Sequence, residues 1–118
     1  MDAGDGVTST ESILHLISAA DWATAQQAGT IEPESLTTEG FVHCSTPAQL
    51  AGVIERYYAE RTDMLVLRLD PSALADTVRW EAPAHPDGSA NTAAEAAHLY
   101  PHVYGPIPVD AVDEVRTA

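Results

Sequence analysis

FVHCSTPAQLAGVIERYYAER, residues 41–61, carries a strand-like piece and a helix back to back. FVHC at 41–44 is a brief apolar run, and His43 sits where such a strand would end. Thr46 can cap the next helix, Pro47 suits its first position, and Gln49 completes a capping box. Leu50, Val53, Ile54, Tyr57 and Tyr58 then recur at i, i+3, i+4, i+7 and i+8, which predicts an amphipathic helix over 47–61.

Outward from this anchor the same alternation of short elements continues. Upstream, SILHLI at 12–17 reads as a buried strand with His15 as its one polar side chain. Ser18 and Asp21 open a helix over 19–28 whose apolar positions are Trp22, Ala25 and Ala28, with Gly29 as its C-cap. TIEPESLTTEG at 30–40 is turn-rich. Downstream, MLVLRL at 64–69 reads as a strand, Asp70-Pro71 starts a short helical turn through Leu74, and TVRWEA at 77–82 reads as another strand. The stretch 83–98, PAHPDGSANTAAEAAH, is too long for a hairpin and is a candidate cover for a site. LYPHVYGPIP at 99–108 returns to apolar and aromatic residues, and VDAVDEV at 109–115 suits a final edge strand. Short mixed elements of this kind predict an α+β fold with two main helices.

The chain has 118 residues, enough for one domain. We expect a disordered polar tail at 1–11 and a single domain over 12–118. Eighteen acidic residues stand against five arginines and no lysine, a net charge of −13. Nucleic acid and anionic membranes are therefore not expected as partners, since both need clustered positive charge. Cys44 is the only cysteine, which excludes an internal disulfide, and the first eleven residues lack the basic and apolar regions of a secretory signal. A cytoplasmic location is the expectation.

Three of the five histidines, His15, His43 and His102, lie inside or at the ends of apolar strand-like pieces. An imidazole there must satisfy a donor and an acceptor, so three in so small a core suggest one shared pocket rather than three packing residues. Glu81, at the end of a strand beside the long 83–98 stretch, is placed to reach a ligand, and Tyr104 could stack a planar ring. A metal site is weighed and set aside: Pro101 interrupts His98-x-x-x-His102, and adjacent strand residues such as His43 and Cys44 point to opposite faces. Cys44 is expected to be packing.

At ILHLIS, GFVHCST, VRWEAPAHPDGS and LYPHVYGPIP, the sequence closely resembles the family called domain of unknown function 952, from about Ser12 to Val115. That family resembles the ADP-ribosyltransferase-like fold, in which short antiparallel sheets flank a cleft that binds NAD. The resemblance implies that His15 matches the first-strand histidine holding a ribose hydroxyl. It also implies NAD as a possible substrate. We expect His15, Ser45, Arg68 and Tyr104 as its contacts and His15, His43, His102 and Glu81 as the catalytic set. The superfamily's late acidic motif is absent; His102 and Tyr104 stand there instead. The expected function is an NAD- or ADP-ribose-derivative-utilising transferase or glycohydrolase acting on a small molecule. The alternatives are a non-catalytic nucleotide or small-ligand binding module that keeps the cleft, and a His-based metal-dependent hydrolase.

Overall fold

The computed structural model describes residues 12–82 and 99–118. The expectations of a disordered tail at 1–11 and a covering loop at 83–98 fall outside them. The fold is α+β, with β1 (Ile13–Ser18), α1 (Ala19–Ala28), β2 (Thr30–Ile31), α2 (Glu34–Thr38), β3 (Val42–His43), α3 (Pro47–Tyr57), β4 (Met64–Leu69), β5 (Val78–Glu81), β6 (Tyr100–Val103), β7 (Ile107–Pro108) and β8 (Val112–Thr117) in chain order. Two short 3-10 turns, Pro71–Leu74 and Val109–Ala111, precede β5 and β8. Among the described residues no helix is long and apolar enough to cross a membrane.

All strand pairing is antiparallel and falls into three small sheets, ordered β1-β4-β8, β3-β6-β5 and β2-β7. The two larger sheets are stitched edge to edge at one point, where Leu14 and Ser45 exchange two backbone hydrogen bonds of 2.8 Å. Their common face is the core. Ile13, Ile17, Leu67 and Leu69 from one sheet meet Val42, Cys44 and Val103 from the other, with Ile31 and Ile107 of β2-β7 closing the layer. On the opposite face of the first sheet, Leu14 and Val66 pack under Leu50 and Ile54 of α3.

Local chemistry accounts for the element ends. The capping box of α3 is present, with Thr46 accepting from the Gln49 N–H and the Gln49 side chain accepting from the Thr46 N–H. Gly29 ends α1 at φ +90°, and Gly40 turns the chain out of α2 at φ +92°, a region that other residues rarely enter. Several sequence-based bounds need correction. The α3 helix stops at Tyr57 rather than residue 61, because residues 59–61, Ala-Glu-Arg, offer no apolar face to bury. The turn-rich segment 30–40 holds both β2 and α2. The last strand begins at Val112, since Pro108 leads residues 109–111 into a 3-10 turn first.

Candidate active site

The β3-β6-β5 sheet has two chemically different faces, and the register shows why. Val42 lies opposite Val103, which lies opposite Val78, and these point into the core. The next row is His43, His102 and Arg79, on the other face. Side chains two residues away along each strand share a face, so Phe41, Glu81 and Tyr104 join that row. Alternation thus converts one sheet into an apolar floor and a polar, aromatic ceiling.

On this face Glu81 is the hub. Its Oε1 accepts hydrogen bonds from His102 Nδ1 at 2.8 Å and from the Tyr104 hydroxyl at 2.6 Å. The two donors, with the Tyr104 bond the larger influence, hold the Glu81 carboxyl below its ordinary range. The Tyr104 hydroxyl is pushed up in return, chiefly because its proton is held in the hydrogen bond to Glu81, with burial and the nearby negative charge adding to it. His102 is 3% exposed. Burial and Glu81 act on it in opposite senses, and burial wins, so its pKa lies below 6.5 and the ring is neutral at pH 7. With Nδ1–H given to Glu81, Nε2 is left with the lone pair of a base.

The ring of Phe41 stacks on His102 at 4.2 Å between centroids and leans on Tyr104 at 5.3 Å. His43 meets His102 edge to face at 5.7 Å, and its Nε2 lies 3.1 Å from a Glu39 carboxylate oxygen. Arg79 sits over the Tyr104 ring at 5.7 Å. Sequence reading finds Glu81, His43, His102 and Tyr104 but misses Glu39, Phe41 and Arg79. The signal that could find Phe41 and Arg79 is the i, i+2 pattern Phe41-x-His43, Arg79-x-Glu81 and His102-x-Tyr104. Glu39 is placed by Gly40, whose turn brings the end of α2 over β3.

His15 is not on this face. It shares the core side of β1 with Ile13 and Ile17 and is 6% exposed. Its Nδ1–H donates to the His43 carbonyl at 2.8 Å. That carbonyl points away from β6, because the His43–His102 pair exchanges no backbone bonds while the adjacent Cys44 N–H bonds Pro101 O. Beyond the single Leu14–Ser45 bridge, β1 and β3 part, and the imidazole fills the seam in place of a ladder N–H. Burial drives the His15 pKa down, so the ring is neutral. Of the three histidines expected to face one cleft, His43 and His102 share this sheet face, while His15 lies on the core side of β1, bonded to the His43 carbonyl and near enough to the His43 ring to feel its charge.

Ser45 is buried beside the bridge, two residues past His43 and on the same face as its side chain. Arg68 lies across the seam on β4, where Asp113 at 2.7 Å and Glu114 at 3.2 Å engage its guanidinium. It is not part of the cluster. Cys44 packs in the core, and burial raises its thiol pKa far above its ordinary value, which makes it inert. Two hollows lie elsewhere: one of about 160 Å³ bordered by Leu14, Pro47, Arg68 and Arg116, and one of about 430 Å³ bordered by Trp22, Gln26, Val112 and Val115.

Three solved structures share the fold, all of protein CC0527 from Caulobacter crescentus. Its crystal structure superposes with a TM-score of 0.73 at 22% identity, covering 90% of this chain and 84% of that one. Its solution NMR structure gives 0.69 at 23% identity, covering 89% and 82%. At these identities the likeness speaks for the fold alone. No curated protein matches. The profile of one family, described as "Protein of unknown function (DUF952)", matches residues 16–115. Those residues run from within β1 to within β8 and include every member of the Glu81–His102 cluster, so the chain belongs to the DUF952 family.

Proposed function

We propose that this chain is an enzyme acting on a small molecule, with the Glu81–His102 pair as its acid–base centre and NAD or a related ADP-ribose derivative as substrate. The observation that carries the reading is the double engagement of Glu81 Oε1 by His102 Nδ1 and the Tyr104 hydroxyl. A carboxylate that fixes the Nδ1–H tautomer leaves His102 Nε2 free to take a proton. In hydrolysis of an N-glycosidic bond, the bond between ribose and nicotinamide breaks and its electron pair leaves with nicotinamide. Water supplies the new C–O bond, and its proton passes to Nε2. The negative charge of Glu81 lies beside the developing ribosyl cation and lowers the barrier electrostatically. Tyr104, 37% exposed, offers aromatic surface for the departing ring, while Phe41 is buried behind His102.

Calorimetric titration with NAD, followed by a nicotinamide-release assay with and without a chelator, tests this reading. The expected result is saturable binding and release that Glu81→Gln lowers by about 100-fold or more, since general acid–base catalysis contributes about 10²–10⁴. Absence of both heat and release would overturn it. A binding module without chemistry is the second reading, favoured by the deep burial of His102. Binding heat with no release would select it. Release abolished by the chelator would select a metal-dependent hydrolase, although among the described residues no three His, Cys, Asp or Glu side chains gather as ligands would.

A further inference from the structure

We propose that the chain pairs with a second copy of itself through β8, antiparallel and centred on Val115. Among the described residues β8 pairs only with β4, so its outer edge presents unpaired backbone groups. The Ala118 N–H donates to Met64 O at 3.1 Å, which fixes the alternation: Glu114 and Arg116 turn their backbone groups toward β4, and Val115 and Thr117 turn theirs outward. Asp113, Glu114 and Arg116 charge that edge, with Val115 between them. Val115 is 42% exposed, and the 430 Å³ hollow at its flank is bordered by Trp22, Gln26, Val112, Asp113, Glu114 and Val115. Among the described residues Arg116 makes no ion pair, although the protein carries a net charge of −13.

Symmetry and charge select the register and the partner. A two-fold axis through Val115 lets the two Val115 residues exchange both backbone hydrogen bonds. It also sets Glu114 of each copy opposite Arg116 of the other, at the position where cross-strand side chains approach most closely. Centring on Glu114 or on Arg116 would instead set like charges face to face, which is destabilising. The copies meet with Val115 against Val115 on the face toward Trp22. A single strand edge buries less than a standard interface, so the dimer is a weak one.

Sedimentation equilibrium over a wide concentration range, with circular dichroism to verify folding, reads the association directly. Glu114→Arg and Arg116→Glu, each alone, put like charges opposite one another twice and should raise the dissociation constant by about tenfold or more. The double exchange restores the pairing and should recover wild-type association. Independently, Val115→Cys in a Cys44→Ala background should give an interchain disulfide on mild oxidation, because Cα atoms in such a pair lie about 5.5 Å apart, within disulfide reach. A monomer at every concentration, reversals that leave the dimer unchanged, or a Cys variant that does not cross-link would each overturn the proposal.

Discussion

His15→Ala isolates the seam between the two large sheets, and its consequence can be worked from the contacts. Removing the imidazole orphans the buried His43 carbonyl, a loss of about 1–3 kcal/mol. It also opens a void among Ile13, Ile17 and Leu67, and large-to-small core changes cost about 2–5 kcal/mol. The two effects overlap, since a water admitted to the void could bond the carbonyl, so we expect about 4 kcal/mol in all. For a domain of this size that corresponds to a drop of about 15 °C in melting temperature. Urea and thermal unfolding at pH 7.5, followed by far-ultraviolet circular dichroism, measure it, with NAD calorimetry on the folded fraction at low temperature as the companion. A variant that loses less than about 1 kcal/mol while ligand affinity collapses would show that His15 touches ligand and does not hold the seam.

The same geometry has other consequences. His15 and His102 are both held below 6.5 by burial, so the unfolded chain takes up protons first; stability is full above that value and falls as pH drops toward the folded values. Glu81, held below 4.5, adds a loss in the same direction at lower pH, so urea midpoints should hold near pH 7.5 and fall from about pH 6.5 to 4, and a flat profile over that range would refute the assignment. Tyr104→Phe removes the stronger donor to Glu81 and should move its carboxyl titration, read by carbon-13 NMR, up toward the ordinary carboxylate range; an unmoved titration would show that the bond does not set its charge. Thr46→Ala breaks the capping box of α3 and should cost about 1 kcal/mol in urea unfolding, with no loss at all counting against the cap.

The parts of the fold that are legible in sequence are those governed by local rules. The cap at Thr46, Pro47 and Gln49 places α3, and the apolar runs place β1 and β4, because these signals lie within a few residues of the structure they specify. The β2-β7 pair is invisible there, since two residues on each side form no periodic pattern and the pairing joins Thr30 with Pro108, from opposite ends of the domain. The site shows the same division. Clustering of His43, His102, Glu81 and Tyr104 follows from alternation along three strands once their register is known. His15 misleads because one buried histidine looks like another in sequence, and only the parting of β1 from β3 shows that its partner is a main-chain carbonyl. Glu39 reaches His43 through a turn at Gly40, a relation set by backbone conformation rather than by residue type.

On the proposed reading, ligand is taken by the face that His43 and His102 share, and His15, on the core side of β1, does not touch it. Nitrogen-15 spectra of the histidine rings, recorded across pH and then with NAD added, test it most directly. His102 should be neutral with its proton on Nδ1 at pH 7, and NAD should shift the His43 and His102 signals together. His15 should keep its own Nδ1–H tautomer, with its signals little changed. Ring signals of His43 and His102 that stay unmoved by NAD, or a His15 signal that shifts most, would contradict that reading.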